Sequence, residues 1–253
     1  MIKEKRLELI KKIVNDKKNV SVKYLSDSLG HAESTIRSDL NDLNRAGDIK
    51  RIHGGAAKID DVADSKFVFF ENRLSEEINE KKLIASKAIK YIEDDQSIAL
   101  DGSTTCYELA KLIAKTKLRL TVITNGLMVA EAINNNPLIT TILIGGMLSN
   151  ETFTTEGSFN NELLNEVNIS TFFFSSRGID TRSLTDFNIY EVRLKNQILN
   201  KSRRNIALID SSKFGSTSTS TICQTNDVDI IISDDKLDEK VREKFISKNI
   251  EIL

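Results

Sequence analysis

The sequence predicts a chain in two parts. The first is an N-terminal winged helix-turn-helix unit, mainly α with a β-hairpin wing. The second is a larger α/β domain built on a mostly parallel sheet. Three observations carry this expectation. Within residues 1–58, two short amphipathic segments meet at a Gly-bearing turn, and a Gly-rich hairpin pattern follows. From about residue 77, short runs rich in Ile, Val, Thr and Phe alternate with helical segments. Charge is divided too: residues 1–58 hold 13 Lys and Arg against 8 Asp and Glu, and the remainder holds 23 against 29. A basic head on an acidic body suggests that only the head meets a polyanion.

The remaining bulk properties narrow the class. At 253 residues, 40% hydrophobic and 29% charged, the chain affords two ordinary cores without staples. No apolar run reaches membrane-spanning length, and the start MIKEKRLELIKK lacks a secretory pattern, so a cytoplasmic protein is expected. Cys106 and Cys223 lie far apart without CxxC spacing and are expected to be reduced and structural. His31 and His53 have no clustered thiols or carboxylates at ligand spacing, so no metal site is expected.

In the first part, Leu7, Ile10 and Val14 give one helix a buried stripe. A second contains Leu25 and Leu29 and stops at Gly30, a natural helix terminator. The third, ESTIRSDLNDLNR, puts Ile36, Leu40 and Leu43 on one side and Ser34, Ser38, Asn41 and Arg45 on the other, with Arg37 on the flank. Asp39 and Asp42 are expected to project sideways. Gly47 closes this helix, and DIKRIHGGAAKI reads as a wing around Gly54-Gly55.

A polar helix face is usually only solvated. Here it is rich in hydroxyl and amide groups, its acids are displaced, and a basic wing follows. An α-helix fits the major groove of B-DNA, where Arg and Asn read guanine and adenine bidentately, while Ser, Thr and Lys hold phosphates. The candidate contacts to double-stranded DNA are Ser34, Thr35, Arg37, Ser38, Asn41 and Arg45 on the helix, and Lys50, Arg51, His53, Gly54 and Gly55 in the wing. An RNA-binding module is a weaker alternative, for want of the stacked aromatics that single strands require.

STIRSDLNDLNRAGDIKRIHGGA resembles the signature of the DeoR family of bacterial transcription regulators. The likeness rests on Thr35-Ile36-Arg37, Asp39-Leu40, Leu43, Gly47 and Arg51-Ile52-His53-Gly54-Gly55-Ala56. Two positions depart from the family pattern. Ala32 stands where a capping serine is usual, a loss of about 1 kcal/mol if nothing replaces it. Ser38 stands where a second arginine is common.

Residues 59–76, acidic at first and then carrying Phe67, Phe69 and Phe70, read as a linker whose end packs on the next domain, 77–253. There SIAL, LTVIT, TTILIGG, TFFFSS, NIALID and DIIIS are strand candidates. EINEKKLIASKAIKYI, YELAKLIAK, GLMVAEAI, EVRLKNQILNK and DEKVREKF are helix candidates. Ligands of such sheets bind at the carboxyl ends of strands. The residues at those exits are Asp101, Gly102, Ser103, Thr104 and Thr105; Thr124 and Asn125; Gly145 and Gly146; Arg177, Gly178 and Asp180; and Asp210 and Lys213. Glycine, hydroxyls and free helix-start amides cradle anions. With cations and carboxylates added, the set suits a phosphorylated sugar or polyol. GxGxxG and Walker-type GKS or GKT are missing, and no cofactor is expected.

About residues 71–235 also resemble the DeoR-type sensor domain, which is similar in fold to ribose-5-phosphate isomerase. The markers are Arg73, Glu80-Lys81, the DGSTT loop, Thr124-Asn125, Gly145-Gly146, Gly157, Gly178-Ile179-Asp180, Glu191, Lys195 and Asp210 to Phe214. Arg177 stands where small or acidic residues are frequent. The resemblance implies a sugar-phosphate effector near the strand ends, adds Lys195 to its contacts, and implies repression relieved by ligand. Reading two half-sites requires a homo-oligomer, dimer or tetramer. The alternative is an isomerase-type enzyme with Asp101, Glu191 or Asp210 as base and Lys213 on the phosphate, which leaves the basic head without a role.

Overall fold

The computed structural model describes residues 3–52, 54–58, 70, 73–149, 152–157, 161–248 and 250–253. His53, Phe67, Phe69 and most of the stretch read as linker lie outside them. The chain divides into two compact units, Met1–Val68 and Phe69–Leu253.

The first unit runs α1 (Lys3–Lys17), β1 (Asn19–Ser21), α2 (Val22–Leu29), α3 (Glu33–Arg45), β2 (Lys50–Ile52) and β3 (Gly55–Ala57). Its core gathers Ile10, Val14, Leu25, Ile36, Leu40 and Leu43, the apolar stripes of the three helices, with Ile49 from the turn before β2. Ser21 caps α2 by accepting the Tyr24 amide at 3.0 Å. Gly30, at φ 66°, ends α2 and donates its amide to Ser26 O at 2.9 Å. Ala32 begins α3 with no side-chain cap, so the serine position left empty by sequence is not replaced.

Two features depart from the expected unit. β1 was not foreseen, being only three residues long; it pairs antiparallel with β3, so the wing is a three-stranded sheet ordered β1-β3-β2. Asp39 does not project sideways. It is buried, and it is held there by the equally buried Arg6 of α1.

The second unit opens with α4 (Ile78–Ala88), β4 (Gln96–Leu100), α5 (Thr104–Ile113), β5 (Leu120–Thr124), α6 (Leu127–Ile133), β6 (Ile139–Leu143), β7 (Met147–Leu148) and β8 (Thr155–Glu156). It continues through α7 (Asn161–Glu166), β9 (Ile169–Phe174), β10 (Gly178–Ile179), β11 (Ser183–Asp186), α8 (Ile189–Leu199), β12 (Ser202–Leu208), β13 (Ser220–Gln224), β14 (Ile230–Ile232) and α9 (Glu239–Ile246). Six strands form one parallel sheet, ordered β14-β12-β9-β4-β5-β6. They are the six apolar runs of the sequence.

Alternation along these strands fills both faces, as in a sheet covered on two sides. Phe172 and Phe174 stack at 5.0 Å on one face with Ala99, Ile123, Ala207 and Ile209. Phe173 points to the other, with Ile98, Leu100, Val122 and Leu208. β10, β11 and β13 make a small antiparallel sheet beside this body. Among the described residues no helix is long and apolar enough to cross a membrane.

The chain builds outward from β4, first to one side through β5 and β6, then to the other through β9, β12 and β14. The strand order therefore reverses between β4 and β9. At such a switch point the two crossover connections diverge and leave a crevice beyond the strand ends.

Candidate functional site

The first unit presents the polar face of α3. Ser34, Arg37, Ser38, Asn41 and Arg45 are exposed and Thr35 is half-buried. Arg37 reaches back one turn to Glu33 at 2.9 Å, an exposed pair that a phosphate or base edge can displace. Lys50 is exposed on β2. Arg51 is tied into the hairpin: its amide donates to Asn44 Oδ1 at 2.8 Å and its guanidinium to Gly55 O at 2.7 Å. Gly54 forms the exposed wing tip at φ 77°. Gly55, read as a wing contact, is buried instead. A Cβ there would stand 2.1 Å from Val20 O, so glycine is what lets β1 close on β3.

The second unit holds a cleft at the β4–β9 switch point, with roughly 580 Å³ of empty volume partly open to solvent. Gly102 and Ser103 enter it from the turn between β4 and α5, and Thr104 and Thr105 from the first turn of α5. Ser103 caps α5 by accepting the Cys106 amide at 3.2 Å, and the first amides of the helix face forward without intrahelical partners. Ser175, Ser176 and Arg177 follow β9, and Asp210 and Lys213 follow β12. Asp186 and Phe187 come from the end of β11. Glu191 and Lys195, one turn apart on α8, share the face turned to the cleft.

Lys195 organises the floor. Its buried ammonium donates to Ser175 O at 2.8 Å and pairs with Asp101 at 3.1 Å and Asp186 at 3.3 Å. Burial works against its charge, but Asp101, Asp186 and Glu191 outweigh burial and hold its pKa above the ordinary lysine value. Asp101 is fully enclosed and accepts the amides of Ser103 at 3.0 Å and Ser175 at 2.9 Å. Burial would raise its pKa, yet Lys195 and these donors keep it below the usual carboxylate range. Glu191 goes the other way: burial first, then Asp186 and Asp101, raise it above the ordinary value, against the pull of Lys195.

Cations line the walls. Among the described residues the buried Nη2 of Arg73 has no hydrogen-bond partner, and burial followed by the charge of Arg177 lowers the Arg73 pKa. Lys81 donates to the carbonyl oxygens of Arg73 and of Glu76, the latter at 2.6 Å; burial lowers its pKa as well. Among the described residues, neither Lys213 nor Arg177 has a carboxylate partner within ion-pair distance.

The structure thus brings together Asp101, Gly102, Ser103, Thr104, Thr105, Arg177, Lys195, Asp210 and Lys213, Asp101 as the buried support of Lys195 and the rest as cleft lining. The other sequence candidates stand apart from the lining. Thr124 accepts the Gly126 amide at 3.0 Å, and Asn125 donates to Thr155 O at 3.3 Å. β8 lies across these strand exits, its Thr155 amide on Asn125 O at 2.8 Å, which closes them to a ligand. Gly145 and Gly146 belong to the connection between β6 and β7. Gly178 is a paired strand residue opposite Thr185, and Asp180 braces the β10–β11 turn by accepting the amides of Arg182 and Ser183, each at 2.8 Å.

Several lining residues escaped the strand-exit argument: Arg73, Glu76, Lys81, Thr152, Ser175, Ser176, Asp186, Phe187 and Glu191. Arg73, Lys81 and Glu191 carried a family signal. Arg73 and Glu76 fall in the stretch read as linker.

The family model for the DeoR-like helix-turn-helix domain matches residues 6–62, and that for the DeoR C terminal sensor domain matches residues 76–235. The chain belongs to the DeoR family. It is 36% identical to the HTH-type transcriptional regulator GolR of Listeria innocua over 92% of this chain and 91% of that one. It is 32% identical to the lactose phosphotransferase system repressor of Streptococcus mutans over the full length of both. It is 29% identical to the HTH-type transcriptional regulator GlpR of Haloferax volcanii over 100% of this chain and 98% of that one. A ribose 5-phosphate isomerase A from Neisseria gonorrhoeae overlays 54% of this chain and 53% of its own at 12% identity and a TM-score of 0.41, a match too loose to bear on the site. As a DeoR-family transcriptional regulator, the chain binds DNA through its first unit and senses a small molecule through its second; it is not an enzyme.

Proposed function

We propose that this regulator is a cytoplasmic repressor of sugar or polyol catabolism genes whose hold on operator DNA is controlled by a phosphorylated sugar bound in the β4–β9 cleft. The observation that carries the ligand class is the buried Nη2 of Arg73, which has no hydrogen-bond partner among the described residues. A buried cationic donor without an acceptor is costly, and it sits in one cleft with Arg177, Lys213 and the start of α5. A phosphate answers all four, being an anion with several acceptor oxygens. The hydroxyls of Ser103, Thr104, Ser175 and Ser176 and the carboxylates of Asp186, Glu191 and Asp210 suit sugar hydroxyls. Relatives named for the lactose phosphotransferase system and as GlpR fit this reading.

A single winged unit has too little surface for tight, selective binding, so the working form is a homo-oligomer reading two half-sites. Ligand relieves repression only by preferring the conformation that fits the operator less well. Gel-shift titration of the purified protein on the DNA upstream of its own gene, with and without a panel of sugar phosphates, tests the reading. At least one member should release the complex, and Lys213→Ala should blunt that release while leaving ligand-free DNA affinity unchanged. Absence of any sequence preference, or a panel without effect, would overturn it.

A further inference from the structure

The cleft has one wall that phosphate chemistry does not explain. Phe187 lines it with 46% of its surface exposed. The residue is held firmly between β11 and α8. Its amide donates to Asp186 Oδ1 at 2.8 Å. The next residue, Asn188, caps α8 by accepting the Tyr190 amide at 3.0 Å and donates to Glu156 at 2.5 Å. The guanidinium of Arg177 stands over the Phe187 ring, 5.2 Å from its centroid. The ring is thereby matched to a cation, and Phe187 itself lines the cleft.

A phosphate has no use for an aromatic face. The carbon skeleton of a sugar has one only when it is closed into a ring. A furanose or pyranose turns several C–H bonds to one side, and their partial positive charge meets the negative face of the aromatic ring. An open-chain alditol phosphate interleaves C–H and O–H along a flexible backbone. It offers no flat apolar side and loses more rotational freedom on binding.

We infer that Phe187, with Arg177 stacked on it, is the specificity-determining wall of the site, and that it selects ring-form sugar phosphates over open-chain alditol phosphates. This rests on the sugar-phosphate reading and narrows it. Ile189 and Tyr190 are also exposed nearby, at 44% and 48%, but they do not line the cleft, so Phe187 is assigned to the ligand rather than to a protein partner.

The test is calorimetric titration of the full-length protein, Phe187→Ala, and Phe187→Tyr. The probes are ring-forming hexose 6-phosphates (glucose, fructose, tagatose), open-chain sorbitol 6-phosphate and mannitol 1-phosphate, and inorganic phosphate. The wild type should bind a ring-former at least about tenfold more tightly than either alditol phosphate, a gap of about 1.4 kcal/mol. Phe187→Ala should erase most of that gap by weakening the ring-formers severalfold more than inorganic phosphate or the alditol phosphates, and Phe187→Tyr should retain it. Equal loss for both ligand classes, or a wild type that prefers an alditol phosphate, overturns the inference while the sugar-phosphate reading stands. A wild type that binds none of the probes, inorganic phosphate included, removes both. A variant that changes oligomeric mass but not affinity assigns Phe187 to a protein contact and also overturns it.

Discussion

Arg6 of α1 and Asp39 of α3 form a two-point ion pair inside the DNA-binding unit, Nε to Oδ2 at 2.5 Å and Nη2 to Oδ1 at 3.0 Å. Two more pairs run between the same elements on the surface. Lys3 meets Asp42 at 2.7 Å, and Lys11 meets Asp48 just beyond the end of α3. Each acid that α3 and its exit carry beyond the first turn is thus answered by a cation of α1. The face offered to DNA keeps its hydroxyls, amide and arginines, while Asp39, Asp42 and Asp48 are each paired with a cation of α1. The recognition helix is fixed against α1 by charge as well as by the Ile10, Ile36 and Leu40 contacts.

The buried pair predicts a non-additive mutant cycle. Arg6→Met leaves a carboxylate enclosed without its partner, and Asp39→Leu leaves a guanidinium so. Either should lower the thermal midpoint of the DNA-binding unit and weaken operator binding. The double variant Arg6→Met/Asp39→Leu removes both charges together and should recover stability beyond either single change, because a buried pair can be exchanged for apolar packing at little cost. Thermal melts of the four proteins give the cycle; simple additivity would mean that the pair is effectively solvated.

Arg37 predicts a separation of functions. Its side chain is exposed and its partner is the equally exposed Glu33. Arg37→Ala should therefore change stability by no more than about 0.5 kcal/mol. Operator binding should fall by roughly the 1–3 kcal/mol of a base-reading arginine, with relaxed preference at one base pair. If Arg37 instead holds a phosphate, all sequences should weaken alike and the salt dependence should flatten by about one counterion. Unchanged operator affinity would count against α3 as the reading helix.

What the sequence disclosed and what it hid follow from how far each signal reaches. The six strands of the parallel sheet and five of its helices were legible because each is a local apolar run or a 3.6-residue stripe. The helix-turn-helix was legible for the same reason, with Gly30 marking its turn. β1 was not, since three residues carry no period and its existence depends on β3 some 35 residues away. Asp39 was misjudged because its burial depends on Arg6, a residue that reads as one more surface charge until α1 is docked. In the sensor, strand exits were legible but strand order was not. Thr124, Asn125 and Gly145 are exits like Asp101 and Asp210, yet they fall on the side that β8 covers. Arg73, Glu76 and Lys81 reach the cleft only through tertiary packing, which no spacing announces.

Gly55 predicts a steric failure of the wing. Its added Cβ would stand 2.1 Å from Val20 O and 3.1 Å from Ser21 Cα, both backbone, so neither can yield by rotating a side chain. Gly55→Ala should force β1 away from β3, at the cost of about 1–3 kcal/mol typical of overpacking. The Val22 amide bond to Gly54 O, now 2.7 Å, should loosen with it. Amide exchange read at Val20 and Val22 in the isotope-labelled full-length protein should accelerate, and operator affinity should drop. Unaltered protection at both amides would show that the hairpin absorbs the methyl group.

Glu191 predicts a dependence on pH whose sign can be worked out. Burial, then Asp186 and Asp101, raise its pKa above the ordinary 4.5, although Lys195 pulls it down and Thr154 Oγ1 donates to it at 2.9 Å. An acid with a raised folded pKa binds its proton more tightly in the folded chain than in the unfolded one. Below about 4.5 both states are protonated and the group contributes its full share to stability. As pH climbs from there through the raised value, the unfolded chain has already lost the proton and the folded chain must give it up from an unfavourable site, so stability declines across that window. Asp101, with its depressed pKa, has the opposite sense and loses its contribution only as pH falls through its own lower value. Glu191→Gln keeps an acceptor for Thr154 and removes the buried charge. The ligand-free sensor should therefore melt higher than wild type at neutral pH, and the two melting curves should converge as pH approaches 4.5. If the variant instead melts lower by the same margin at every pH, Glu191 is a charged and stabilising partner of Lys195, and the upward shift assigned to its burial is wrong.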